Sequence, residues 1–456
     1  MRHRRRACRT ALVVLLASGH AAAAPPARYA LTEGDWLTYE WRAESTRRDA
    51  ATASDRVESH ATIQVWCLGR EGDEWLLLGL VTRRIDDVNL APRGLYFHVN
   101  ERGVKRLPEE CLSRGGDLDA VLDLFPECRP ALMSSPTWTT TADIFGRRWV
   151  CTPPGDTAGD DPAVSFRLDD SSGVSAALGM TVRGKYVFDR VRGVLRESRQ
   201  TIETPRDATA VSVRLLRRNS VPAGWRLRRM TELDSFRRTL RMEDRYLASL
   251  EREPARAEAA LARLGAIWIE LLGEFAATGA LDNPTGGVAV PRSPLMEMAR
   301  GQRETLDVRR GLLRERARLA SEWNGRRAPQ WSLLDRDGQT VTSESTRDRP
   351  SLECFWRSDD LGSLRMMQTL GRLREHFPQD ALRIVCINMD QESQAARRAA
   401  DLCAGGFLHV FAGPPVGADL PAELPVCRLI EKDGRIVRVF VGWRYSLVEE
   451  VAAVVR

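Results

Sequence analysis

The hydrophobic pattern changes its period twice along the chain, and this limits the folds available to it. From Tyr29 to about Pro222, short apolar-rich runs alternate with turn residues, which predicts antiparallel strands. From Thr231 to about Arg326, the pattern is helical. From Ala328 onward, strand and helix patterns alternate, as in a sheet covered by helices on both faces. We therefore predict a multidomain chain, with an antiparallel β-rich N-terminal domain, an α-helical hairpin middle segment and an α/β C-terminal domain.

Local turn and cap signals divide the first two regions further. Hairpin turns are predicted around Glu71–Asp73, Asn100–Gly103 and Arg190–Gly193, in a sheet that is strongly curved or packed on itself. In the middle region, Pro254 occupies a first-turn position, and Ser293 is a candidate cap before Pro294. A third helix is expected over residues 233–251. The interleaved arginines and glutamates of this region indicate a solvated face more than a partner surface.

The first 24 residues have the three parts of an export signal. They are an arginine-rich start, an apolar run over Ala11–Ala17 that is too short to span a bilayer, and small residues over Ala21–Ala24. Five arginines leave with this segment and lower the formal charge from +6 to about +1, so there is no electrostatic case for nucleic acid. We expect an exported bacterial protein, periplasmic or extracellular, with no membrane span after signal removal.

Cysteine spacing excludes the familiar local sulfur motifs. Cys8 lies in the signal, and the chain contains no CxxC, so zinc-knuckle, haem-attachment and dithiol redox patterns are absent. No histidine pair has metal-ligand spacing, and we expect neither a cofactor nor a metal. Export permits disulfides, but their connectivity stays open; Cys111–Cys128 is one candidate, and buried thiols are the alternative. The remaining cysteines fall four in each half: Cys67, Cys111, Cys128, Cys151, Cys354, Cys386, Cys403 and Cys427.

Three motifs stand in order in the C-terminal region: APQWSLLDRDGQTV, then CFW with a polar corner and a helix, then LPVCRLIEKDGRIV. Together they resemble exported thioredoxin-like proteins of the TlpA/ResA type, over about Ala328 to Arg456. The resemblance implies a thioredoxin-like fold, with a cis-proline at Pro425 that lines a substrate groove. The predicted divisions are a signal peptide (1–24), a β-rich domain (29–225), a helical segment (229–326) and a thioredoxin-like domain (327–456).

The resemblance breaks at the redox-active corner. Counting from Trp356, the two positions of the family's CxxC fall on Asp360 and Ser363. Disulfide exchange needs an attacking thiolate and a resolving thiol, and neither a carboxylate nor a hydroxyl can form the S–S bond. We interpret Asp359-Asp360 as a helix cap. The alternative, a relocated acid or cation ligand, lacks a further carboxylate or histidine close by in sequence.

Two other cysteines could in principle replace the missing pair. Cys354 stands where thioredoxins carry a buried polar residue beneath the active site, and Cys427 lies on the strand expected to pair with it. The alternative is two small core residues in adjacent strands. His409 is interpreted as a packed side chain.

The sequence favours a non-enzymatic role. The first hypothesis is an exported protein with a degenerate, redox-inactive thioredoxin-like domain that acts as a binding or structural module. Its expected binding residues are Pro425 and Trp356, with an extended peptide or protein as partner. Two alternatives stay open: a thiol–disulfide oxidoreductase that uses Cys354 and Cys427, and ligand binding by the β-rich domain.

Overall fold

The computed structural model describes residues 28–47, 56–108, 111, 118–127, 138–141, 148–152, 163–170, 181–189, 191–203, 207–279, 292–358, 360–390, 397, 400, 406–412, 424–444 and 446–455. Four features of the sequence analysis lie outside these residues: the predicted signal, Cys128, Asp359 and Cys403.

The first part of the described chain is a large antiparallel half-barrel sheet. The strands are β1 Asp35–Arg47, β2 Arg56–Glu71, β3 Glu74–Ile85, β4 Val88–Asn89, β5 Arg93–Asn100, β6 Lys105–Arg106, β7 Trp138–Thr141, β8 Arg148–Thr152, β9 Ala163–Asp170, β10 Thr181–Asp189, β11 Val194–Glu203 and β12 Asp207–Ser220. Their order in the sheet is β6-β5-β3-β2-β1-β12-β11-β10-β9-β8-β7, with β4 paired to β3.

All three predicted hairpins are confirmed. They join β2 to β3, β5 to β6 and β10 to β11. Gly72 and Gly193 have φ of +64° and +62° in the first and last of these turns, a backbone conformation that glycine adopts without strain. The short helix α1 (Leu118–Leu122) packs on this sheet, and its Val121 side chain fills the space left by Gly79.

Three helices follow: α2 (Ala223–Arg252), α3 (Ala257–Gly279) and α4 (Pro294–Trp323). The Ser293 prediction is confirmed, because its side chain accepts a hydrogen bond from the Met296 N–H. The third expected helix exists but begins ten residues earlier, directly after the last strand of the large sheet. Pro254 starts a 3-10 turn, and α3 begins only at Ala257.

The helices pack against both sheets. Trp225 of α2 lies beside Trp66 of β2, with ring centroids 6.2 Å apart. At the other end, Leu319 and Trp323 of α4 pack on the C-terminal sheet. The helical segment therefore contributes side chains to two hydrophobic cores, one with each sheet.

The C-terminal sheet has the order β14-β13-β17-β16-β15-β18-β19. Strand β15 runs parallel to β16 and antiparallel to β18, and β18 is antiparallel to β19. Helices α5 (Leu361–His376) and α6 (Leu447–Ala452) contact each other on one face. This arrangement agrees with the fold that the sequence resemblance implied, and we call it the thioredoxin-like domain. The strands are β13 Ser332–Asp335, β14 Thr340–Thr342, β15 Ser351–Trp356, β16 Arg383–Asn388, β17 Leu408–Phe411, β18 Val426–Ile430 and β19 Ile436–Val441.

The Asp433-Gly434 turn joins β18 to β19. Ser446 is at the N-cap position of α6, but its side chain makes no cap hydrogen bond and donates instead to Glu450 Oε1, at 2.8 Å. In the part of the chain described here, no helix is long and apolar enough to cross a membrane.

Candidate functional site

The corner between β15 and α5 is closed by hydrogen bonds from oxygen side chains. Asp360 is the N-cap of α5, and its carboxylate accepts from the Ser363 N–H at 2.6 Å. The capping prediction is thus confirmed for Asp360. Ser363 is completely buried, and its Oγ accepts from the Arg357 N–H at 3.2 Å. Both residues at the positions expected to match the CxxC are therefore used to order the start of the helix.

A second carboxylate, that of Asp390, holds the backbone of Ser358 just before the helix. The Ser358 N–H donates to the Asp390 carboxylate at 3.0 Å, and the Asn388 side-chain amide donates to it at the same distance. These groups stand at the carboxyl ends of the parallel strands β15 and β16. Among the described residues, no group of three or more acidic, cysteine or histidine side chains could hold a metal ion.

Pro425 faces the first turn of α5. The Leu424–Pro425 peptide bond is cis, as the resemblance implied. A Cβ built on Gly362 would lie 3.2 Å from Pro425 Cδ and 3.5 Å from the Leu424 carbonyl oxygen. A side chain at position 362 would therefore be tight against the proline segment, and glycine leaves room for this close approach. The structure thus brings Asp360, Ser363 and Pro425 together, and it adds Gly362, which the sequence reasoning missed.

Trp356 lies below this corner. Its side chain is completely buried and packs with α5 residues such as Met366 and Leu370. The expected binding role for Trp356 thus becomes one of support, since a ligand on the surface would not touch the ring. His409 is half-buried, with its ring 6.5 Å from that of Trp356, in keeping with its interpretation as a packed residue.

Three cysteines form a row beneath the corner. Cys354 stands opposite Cys427 in the antiparallel pair β15–β18 and beside Cys386 in the parallel pair β15–β16. All three are completely buried in the core that lies under α5 and α6. Cys427 is a free thiol, so no disulfide joins it to Cys354. The sequence placed Cys354 and Cys427 on paired strands correctly, but it gave no role to Cys386.

The opposite face of the sheet holds a buried ion pair. Glu353 is 1% exposed, and its carboxylate accepts from Arg428 Nη2 and from Trp331 Nε1, both at 2.8 Å. The Arg428 guanidinium also lies 5.0 Å from the ring of Trp323 in α4. Burial lowers the pKa of Arg428, and the charge of Glu353 opposes this shift. This pair links the thioredoxin-like sheet to the helical segment.

Outside this domain, Cys67 of β2 is a buried cysteine whose surroundings affect its thiol. It is 2% exposed and lies near Asp35 and Glu33. Burial, followed by these two negative charges, raises the pKa of the Cys67 thiol to about 12. Such a thiol stays protonated at neutral pH and is a poor nucleophile. Cys111 is buried, and the expected Cys111–Cys128 bridge stays a prediction because Cys128 lies outside the described residues.

Comparison with solved structures finds thiol–disulfide oxidoreductases. A thiol:disulfide interchange protein DsbE from Chlorobium tepidum is 18% identical, covers 28% of this chain and 93% of its own, and gives a TM-score of 0.27. The thioredoxin domain of a thiol–disulfide oxidoreductase from Bacteroides vulgatus is 18% identical, with 29% and 98% covered and a TM-score of 0.27. A secreted Mycobacterium tuberculosis disulfide oxidoreductase is 16% identical, with 28% and 94% covered and a TM-score of 0.25.

No protein-family model matches the chain, and a search of curated proteins finds no relative.

Proposed function

We propose that this is an exported protein whose thioredoxin-like domain binds an extended polypeptide without exchanging disulfides. The observation that carries the proposal is the state of the corner, where Asp360 and Ser363 are engaged in capping and turn hydrogen bonds. Neither side chain can form the S–S bond that disulfide exchange requires. The geometry on which a peptide would lie is kept, because Gly362 and Pro425 still approach closely.

Extended peptide is the ligand class that fits this surface. A strand-like segment that lies beside Leu424 could pair with the main-chain groups of that residue, since Pro425 has no N–H and its carbonyl oxygen already accepts from the Gly442 N–H. Pairing of that kind tolerates varied side chains. The surroundings are polar without a dominant charge: Asp360 and Asp390 are half-buried acids, whereas Arg357 is an exposed base. We therefore expect broad rather than motif-specific recognition.

Binding of the full chain to a peptide array tests the proposal, with a matched pair of glycine variants as control. Gly362→Ala adds a methyl group against Pro425, whereas a Cβ at Gly371 in the same helix meets nothing within 4 Å. Both substitutions replace glycine with a better helix former. A Cβ at position 362 would also lie 3.2 Å from Asp360 Oδ2, so the difference between the two variants reports the contacts with Pro425 and with the cap together. We expect binding that Gly362→Ala and Pro425→Ala weaken and Gly371→Ala leaves unchanged. Absence of binding, or binding insensitive to Gly362→Ala and Pro425→Ala, would overturn the proposal.

The oxidoreductase alternative has one observation in its favour, the direct opposition of Cys354 and Cys427 across β15 and β18. Both side chains have no exposed surface, and a buried thiol is a slow partner in exchange because a substrate disulfide cannot reach it. An insulin-reduction assay separates the two functions. Activity of the full chain above that of a Cys354→Ala/Cys427→Ala variant would favour the alternative.

A further inference from the structure

The end of helix α2 covers the outer edge of the thioredoxin-like sheet. The Val441 N–H of edge strand β19 donates to Glu251 Oε1 at 3.3 Å, and the Val439 N–H donates to Asn324 Oδ1 at 3.1 Å. Asn324 also donates to the Glu251 carbonyl oxygen at 3.1 Å. An edge strand would otherwise present unpaired N–H groups to solvent. Here two side chains from the helical segment satisfy them.

The turn at residues 441–444 begins with the last residue of β19. It joins this edge to the Pro425 groove, by which we mean the surface between residues 424–425 and helix α5. The Gly442 N–H donates to the Pro425 carbonyl oxygen at 2.7 Å. Trp443 Nε1 donates to Thr369 Oγ1 of α5 at 3.0 Å. The guanidinium of Arg365, also in α5, lies over the Trp443 ring at 5.3 Å. The 441–444 turn therefore holds both walls of the groove, the proline segment and helix α5.

The 441–444 turn is itself held in place by hydrogen bonds to Glu251. The Glu251 side chain is 1% exposed, and it accepts from Arg444 Nη2 at 2.5 Å. The same Arg444 nitrogen donates to the Val441 carbonyl oxygen at 3.1 Å, and Nη1 lies 3.6 Å from Glu450. Burial acts to lower the pKa of Arg444, but the charges of Glu251 and Glu450 outweigh it and keep this pKa above its ordinary value. Removing one member of a buried pair of this kind strongly destabilises the folded structure around it, because the other charge is left buried without its partner.

We propose that Glu251 is a positioning residue for the Pro425 groove: it fixes the 441–444 turn, which in turn fixes the proline segment. This inference deepens the proposed peptide-binding function and rests on it for its biological meaning. Its consequence is that the helical segment, although outside the thioredoxin-like domain in sequence, is part of the recognition site.

Amide hydrogen exchange of the full chain, resolved at Gly442, tests the positioning role without any ligand. Glu251→Ala removes the acceptor of both the Val441 N–H and Arg444, and we expect Gly442 to exchange at least about tenfold faster while the amides of β16 stay unchanged. Glu251→Gln keeps a side-chain acceptor and should fall between Glu251→Ala and the wild type. Glu253→Ala is the control, since Glu253 is 55% exposed and pairs only with the exposed Arg256 among the contacts of the described chain.

Three results would overturn the positioning role: unchanged Gly442 exchange in Glu251→Ala, an equal acceleration in Glu253→Ala, or an equal acceleration throughout β16. Peptide affinity then separates this inference from the proposed function. With a peptide selected on the wild type, Glu251→Ala should raise the Kd at least about fivefold. If the wild type binds no peptide but Gly442 still loses protection, the proposed function fails and the positioning role stands.

Discussion

The hydrogen bond from the Ser363 N–H to the Asp360 carboxylate gives a direct test of the capping role of Asp360. Asp360→Ala removes the acceptor and the negative charge at the start of α5. A lost N-cap costs about 1 kcal/mol, and a lost favourable charge at a helix N-terminus adds about 0.3–1 kcal/mol. We therefore expect the first turn of α5 to be destabilised by about 1–2 kcal/mol. The rest of the helix should remain, because Met367, Leu370 and Leu373 stay buried in the core.

Local amide exchange is the suitable assay, because a chain with several packed units does not guarantee two-state unfolding. A loss of 1–2 kcal/mol corresponds to exchange at Ser363 that is about 5–30 times faster. Asp360→Asn keeps an oxygen that can cap but loses the charge, so its effect should be clearly smaller. Unchanged exchange at Ser363 in Asp360→Ala, or equal damage from Asp360→Asn, would refute the capping account.

Other substitutions and truncations test the packing around the site. Glu353→Gln should cost about 3–5 kcal/mol because it leaves Arg428 buried without its charge partner, and adding Arg428→Met should recover most of this in the amide exchange of β15 and β18. A fragment of residues 327–456 loses the cover that α4 gives to β18 and β19, so it should bind a hydrophobic dye, whereas the full chain should not; equal dye binding would contradict the shared core. Because burial raises the pKa of Cys67 to about 12, the unfolded chain loses this proton first as pH rises, so Cys67 should contribute a fall in stability of about 1.4 kcal/mol per pH unit above about 8.5. Cys67→Ala should make that slope shallower in unfolding measured between pH 8 and 11, and an identical slope would contradict the burial argument.

Much of the fold follows from local pattern. The Gly72, Gly193 and Gly434 turns could be read from Gly-containing gaps between apolar runs, and the Ser293 cap from the Ser-Pro pair before a helical repeat. The start of α2 was missed because it follows the last strand of the large sheet with no loop signal beyond Pro222 and Gly224. The predicted boundary at residue 327 stays a prediction, and a hydrophobic core crosses it between Trp323 and Val426.

The candidate site was predictable in its sequence positions but not in its supports. Spacing from Trp356 located Asp360 and Ser363, and the motif around Pro425 located the opposite wall. Glu251 and Arg444 are 193 positions apart, and no local pattern links them. Their pairing depends on how a helix docks on a sheet edge, which is a property of tertiary packing. The same holds for Cys386, which joins Cys354 only through strand register.

The central claim is that oxygen at positions 360 and 363 ends thiol chemistry at this corner while the fold around it persists. Insulin reduction by the full chain, compared with an Asp360→Cys/Ser363→Cys variant, tests it most directly. The account predicts no reduction above background for the natural sequence and measurable reduction once both sulfurs are restored. Reduction by the natural sequence at a rate equal to that of the restored variant would contradict it.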